Sequence, residues 1–228
     1  FRSNLLNTIS SQPSVRNFDV TNIKKILRKA SEINSDIVIA LANIKGDQVI
    51  KSNDDELANV GDREYFQQVI NGNERYVSNV LSEKITEKLM VVLSIPVRDL
   101  ADKIVGILQA NIYLSVIGDL VADLSEDGST VYVLSGDGKV MAHPNAEYMQ
   151  NREDFSALDF VKAGLRGENA SLRSQNITGE KVIVSSSLNE MTGWLIVVET
   201  PVSIAMQSAY RLLNISIILF ICAVIVVV

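Results

Sequence analysis

The sequence predicts an α+β protein with a long N-terminal helix, two tandem modules on antiparallel sheets and a C-terminal transmembrane helix. Three observations predict it. Apolar residues recur at helical spacing near the N-terminus. Beyond residue 35 the pattern changes to strands and tight turns, in an order that comes round twice. The chain closes on "LLNISIILFICAVIVVV", residues 212–228, in which only Asn214 and Ser216 are polar.

The elements follow in order. Residues 1–35 read as helix: in "VTNIKKILRKASEI" Ile23, Ile26, Leu27, Ala30 and Ile33 fall on one face and Lys24, Lys25, Arg28 and Lys29 on the other. Pro13 marks a break or a new start upstream of that run. "DIVIALANIKGDQVIKS" reads as a hairpin across a Gly-Asp turn. An acidic loop, "NDDEL", and a short helix around "EYFQQVING" follow, the helix ending at Gly72. Three strand-like runs, "RYVSNVL", "KLMVVLSIPV" and "KIVGILQANIYL", complete the first module, and "VIGDLVADL" reads as a helical connector.

Much the same order then recurs. "TVYVLSGDGKVMAHP" is a hairpin, "FSALDFVKAGLRG" a helix ending at Gly167, and "ASLRSQNITG", "EKVIVSSSLN" and "GWLIVVETP" are strands. Val49 matches Val140, and Gly106 matches Gly193, each pair about 90 residues apart. The chain therefore reads as an internal duplication of a small sheet with a helix on one face. The expected divisions are 1–35 for the N-terminal helix, 36–115 for the first module, 116–202 for connector and second module, and 203–228 for the juxtamembrane helix and membrane span. No glycine or proline follows Pro201, so a helix could run unbroken into the bilayer. About 20 apolar residues span a membrane, and the terminal run reaches about 17 at the chain end. The start at Phe1 implies a segment upstream.

Composition excludes several functions. Among 228 residues, 47% are hydrophobic and the net charge is −6, which argues against a nucleic-acid partner. A single cysteine, Cys222, permits no disulfide framework and no cysteine-based metal site. His143 is the one histidine, a poor basis for a metal site, and no residue pattern calls for a cofactor. G-x-S-x-G, H-E-x-x-H and P-loop patterns are absent, which argues against an enzyme. A membrane-anchored interaction or adhesion domain stays open as the alternative.

The stretch "GDREYF", residues 61–66, sets an arginine beside two aromatics in a polar loop. A core would take the rings without the charge, and a solvated loop the charge without the rings. A small anion site takes both, since the planar guanidinium clamps a carboxylate bidentately. The alternative is a loop salt bridge from Arg63 to Asp54, Asp55 or Glu56. Phe66 reads first as a core residue of its helix and only second as a ligand contact. Asn111, in the alternating run "QANIYL", needs a partner if it faces inward.

"DREYF" with "VINGN" behind it, then "VLSIPV", "VGILQANI", "VYVLSGDGKVMAHPN" and "TGWLIVVETP", stand in an order and spacing that carry a resemblance. The chain resembles the extracytoplasmic double Cache sensor domain of bacterial transmembrane receptors, of chemoreceptor, histidine kinase or diguanylate cyclase type. The resemblance implies two tandem PAS-like Cache modules, a membrane-distal one that binds a small ligand and a membrane-proximal one that often binds nothing. It implies a homodimer, a membrane contact through the C-terminal helix, and residues 1–210 on the extracytoplasmic side. The candidate ligand-binding set is Arg63, Tyr65, Phe66, Leu81, Ser94 and Asn111.

The amino-acid-binding branch of that family has arginine, any residue, tryptophan and tyrosine, with a tyrosine upstream and an aspartate on the last strand of the distal module. Here the arginine is Arg63 and the aromatic pair is Tyr65 and Phe66. The upstream tyrosine falls near Ala58, and Asn111 stands for the aspartate. An α-ammonium group wants a charged partner: a charge-assisted hydrogen bond contributes about 1.5–3 kcal/mol, a neutral one about 1. The expected ligand is therefore a small organic acid, amino acid or related metabolite, with a carboxylate-bearing metabolite favoured over a standard amino acid.

Overall fold

The structure, a computed structural model, describes residues 2–34, 37–125, 128–168, 172–190 and 192–206. The chain divides into two compact units, Phe1–Ile117 and Gly118–Val228.

The first unit opens with three helices, α1 (Arg2–Ser10), α2 (Pro13–Arg16) and α3 (Val20–Ile33), where one long helix was expected. Two local features break it. Pro13 sits in the first turn of α2, where its missing N–H costs nothing but where a continuing helix would clash. Phe18 then adopts φ 54°, outside the helical region, and Asp19 restarts the helix by accepting a hydrogen bond from the Asn22 backbone. The breaks fold Leu6, Ile9, Val15, Ile23 and Leu27 onto one face of the sheet.

That sheet comprises β1 (Ile37–Asn43), β2 (Gln48–Lys51), β3 (Tyr76–Val77), β4 (Leu81–Ser82), β5 (Leu89–Arg98) and β6 (Ile104–Tyr113). Its order is β2-β1-β6-β5-β3, all antiparallel, with β4 pairing β5 off this path. Helix α4 (Glu64–Ile70) packs on the other face, through Tyr65, Phe66 and Val69 against Ala42, Met90, Val92 and Ile107. The central strands are thus covered on both sides. Side chains alternate along β6. Leu108 and Ala110 meet the N-terminal helices, while Ile107, Gln109 and Asn111 face α4.

Helix α5 (Leu114–Asp123) runs across the division between the units. The second unit holds β7 (Thr130–Leu134), β8 (Val140–Ala142), α6 (Ala146–Gln150), α7 (Asp159–Leu165), β9 (Leu172–Gln175), β10 (Lys181–Asn189), β11 (Trp194–Pro201) and the short α8 (Val202–Ala205). Its sheet order, β8-β7-β11-β10-β9, repeats the first strand for strand. The bulge is repeated too: the first hairpin shifts register between Leu41 and Ala42, the second between Val133 and Leu134. Phe160 and Val161 of α7 pack on Tyr132, Val182, Val184, Leu195 and Val197. The expected transmembrane helix lies outside the described residues, and among those no helix is long and apolar enough to cross a membrane.

Candidate functional site

The approach to the site begins at a close contact between two glycines. Gly46, at φ +84°, comes so near Gly61 that a Cβ on it would lie 2.4 Å from the Gly61 Cα. Only glycine tolerates both the backbone angle and the approach. The Val60 N–H donates to the Gly46 carbonyl at 2.7 Å, pinning the loop that leads into α4. Arg63 is the N-cap residue of α4, with extended backbone, so its side chain leaves the helix at the mouth of a small cavity.

The cavity lies between α4, the sheet and the segment Ser82–Lys88. Its room is about 10 Å³, the space of roughly one water. On its floor are Gln109 and Asn111 of β6 and Lys51 at the end of β2. Ala40 of β1 lies between them in register, opposite Lys51 on one side and Gln109 on the other. Its methyl group is what leaves space there.

Lys51 is 2% exposed and pairs with Glu83, 5% exposed, at 3.2 Å. Glu83 also accepts hydrogen bonds from the Tyr113 hydroxyl, at 3.0 Å, and from the Thr86 hydroxyl. Burial pushes the Glu83 carboxyl up, but these hydroxyls and the Lys51 ammonium more than offset it and hold it below the usual carboxylate range. The same contact, added to burial, pushes the Tyr113 phenol up. Tyr65 is pushed up to about 12, chiefly by burial, so its hydroxyl is neutral at any ordinary pH. Gln109 donates to the Asn111 side-chain oxygen at 2.9 Å, and its own Oε1 is buried with no hydrogen-bond partner. An acceptor left bare in a polar cavity is a place for a donor from elsewhere.

The Ser82–Lys88 segment covers the cavity with Glu83, Lys84 and Ile85. It is fastened by the Lys84–Asp62 ion pair and by Arg63, which donates to the Ser82 carbonyl at 3.0 Å. Arg63 does not bridge to the acidic loop: Asp54 is taken by Lys24 and Arg28.

Of the six residues expected to bind ligand, the structure brings Arg63, Tyr65 and Asn111 together around the cavity. The other three stand apart from its lining. Phe66 is 3% exposed within the core under α4, and Leu81 packs against the same cluster. Ser94 is fully buried, its hydroxyl donating to the Tyr65 carbonyl at 3.1 Å, which ties β5 to α4. Sequence reasoning missed Lys51, Glu83 and Gln109. Gln109 had a signal, since it stands two residues before Asn111 on the same strand face. Lys51 had none: only the bulge, seen in the strand register, sets it level with His143.

The second unit fills the corresponding place. Tyr132 occupies the register position of Ala40, facing Val197 of β11. Its ring lies 5.2 Å from His143 and 5.7 Å from Phe155, and its hydroxyl donates to buried Glu199. Tyr148 closes the group at 5.0 Å from His143. Burial among these rings pushes His143 down to about 4. The half-buried histidine packs against these rings, its Nδ1 accepting from the Asn145 backbone at 2.8 Å.

Comparison with known proteins agrees with this fold. No curated protein is significantly similar in sequence to the chain. Among solved structures, the sensory domain of the Campylobacter jejuni chemoreceptor Tlp3 with isoleucine bound superposes with a TM-score of 0.65 at 15% identity, over 88% of this chain and 82% of that one. The periplasmic sensory domain of the Campylobacter jejuni chemoreceptor Tlp1 gives 0.65 at 14% identity, over 88% and 87%. The ligand-binding domain of Mlp24 with asparagine gives 0.57 at 20% identity, over 90% and 83%. At these identities the likeness is one of fold. The sequence profile of the Cache domain family matches residues 2–209, nearly the whole chain, and the chain belongs to that family.

Proposed function

We propose that this chain is the extracytoplasmic sensing part of a bacterial transmembrane receptor, and that its first unit binds a small carboxylate-bearing metabolite. The observation that carries the reading is the cavity under α4, lined by Lys51, Arg63 and Lys84 and by Gln109, whose amide oxygen is left bare. A structural core has no use for that combination, since each buried polar group there needs its own partner. Of the solved domains of the same fold, the chemoreceptor Tlp3's holds isoleucine and the ligand-binding domain of Mlp24 holds asparagine. Here Asn111 offers an ammonium group no charge, which favours an acid without one. The proposed signal path is the segment that follows β11, moving as a helix into the membrane, in a homodimer joined through the N-terminal helices.

Two experiments test this. Arg63→Ala should leave the domain folded and weaken the acid by about 2 kcal/mol, roughly thirtyfold in affinity. Unchanged affinity by calorimetry rejects Arg63 as a contact. Two glycines inserted between Ser203 and Ala209 in the full receptor should leave affinity intact and abolish ligand-dependent output. Retained output would mean that the signal travels elsewhere.

A further inference from the structure

We propose that Glu83 is a built-in stand-in for the ligand, and that the acid bound here takes its place on Lys51 and Tyr113 as the Ser82–Lys88 segment withdraws. The inference rests on reading the cavity as the ligand site and names how that site recognises its ligand.

The argument begins with room. Space for roughly one water admits no organic acid, so some part of the lining must leave. The sheet residues are fixed in ladders: Asn111 pairs with Val38 on one side and Val92 on the other, and Gln109 with Ala40 and Ser94. Tyr65 is fixed by the core under α4. The covering segment is held far less. It joins the sheet through the two residues of β4 alone, and Glu83, the Lys84–Asp62 pair, the Arg63–Ser82 bond and the Lys88 ammonium over the Tyr113 ring fasten the rest. Glu87, at φ 57°, turns it back towards the sheet.

Withdrawal has a chemical condition. Lys51 stays on the floor when Glu83 leaves, and a buried ammonium without a counter-charge is strongly unfavourable. An incoming carboxylate removes that cost, because it offers Lys51 and the Tyr113 hydroxyl the same two oxygens that Glu83 offers. Arg63, released from the Ser82 carbonyl, becomes a third donor to the same anion. Gln109 Oε1 then accepts a hydrogen bond from the ligand. With Glu83 gone, the remaining lining on the sheet and α4 holds no carboxylate, so an ammonium group finds no counter-charge there. A hydroxyl beside the carboxylate suits the amide oxygen without one. The ligand class is a small 2-hydroxy acid.

The test is calorimetry on the purified chain with three matched series: propionate, lactate and alanine; isovalerate, 2-hydroxyisovalerate and valine; and succinate, malate and aspartate. Within a series the 2-hydroxy acid should bind best. Glu83→Gln should tighten it about tenfold, because the closed segment holds the competent form at or below about 10%. Lys51→Met should abolish binding. If Lys51→Met does not fold, the double variant Lys51→Met/Glu83→Gln removes both charges of the pair, and it too should bind no acid. An acid that binds the wild type, is lost in Arg63→Ala and is unaffected by Glu83→Gln overturns the stand-in while sparing the sensing reading. A preference for the amino acid in every series overturns the ligand class. Failure of every acid with both wild type and Glu83→Gln overturns the inference together with the reading beneath it.

Discussion

Lys51 and His143 stand at the same register of the two sheets, and each shows what its neighbour on the next strand permits. Beside Lys51 is Ala40, and a cavity remains; beside His143 is Tyr132, and the rings close. Tyr132 also carries the hydrogen bond to Glu199, whose carboxyl burial raises above its usual value, with the Tyr132 and Asn176 hydrogen bonds drawing it partly back. Tyr132→Phe keeps the ring and removes the donor. It should destabilise the second unit by about 1.5–3 kcal/mol, the range for a hydrogen bond to a charged group, measured by urea unfolding. His143 gives a pH dependence of known sign. The unfolded chain takes up a proton near pH 6.5, and the folded one not until about 4, so stability is full above about 6.5 and declines as pH falls towards 4. Glu199 acts in the opposite sense, its contribution being lost as pH rises through its raised pKa. The comparison of wild type with His143→Phe isolates the histidine: the variant's melting temperature should lose the decline between pH 6.5 and 4. A parallel decline in both proteins would show that another group carries it. Arg63, Tyr65 and Asn111 were legible as candidates because they stand in a recognisable run or break an alternation. Glu83 was not, because a glutamate in "SEKITEK" reads as a solvated turn until Lys51, remote in sequence, is brought against it.

At the scale of elements, α4 depends on the loop before it, and that loop depends on Gly46. Gly46→Ala places a Cβ 2.4 Å from backbone, at a positive φ. The left-handed angle alone costs about 1–2 kcal/mol, and the overlap forces Gly61 and Val60 to move. The expected outcome is a loss of stability above about 2 kcal/mol by urea unfolding, with acid binding weakened because Arg63 is displaced. A variant as stable as wild type would show that the loop can shift freely. The strands, their hairpins and the helices at α4 and α7 were legible in the sequence, because period and turn residues agree there. The N-terminal helices were legible only as one element. Pro13 was visible as a break, but the left-handed Phe18 is a choice that an aromatic residue makes only when packing demands it, here with its ring set against the core of the first sheet. The Asp19 cap was the readable signal, an aspartate three residues before an asparagine at the foot of an apolar run.

At the scale of the whole molecule, two units share a strand order and a bulge, but among the described residues the first keeps a polar cavity at the place that rings fill in the second. Hydrogen exchange with and without a saturating acid should therefore show its changes within residues 37–113, with protection lost in Ser82–Lys88 as that segment withdraws. Protection centred on β7 and β8 would move the binding site to the second unit. The duplication was legible from spacing alone, whereas the asymmetry between the copies was not, since it turns on one alanine and one tyrosine at a shared position. The asymmetry has an optical consequence. Trp194 is the only tryptophan in the chain, and it stands half-buried at the start of β11, in the unit whose cavity is filled. Any change in Trp194 fluorescence when an acid binds under α4 is therefore light from the second unit, and reads how far that unit responds to a ligand held in the first.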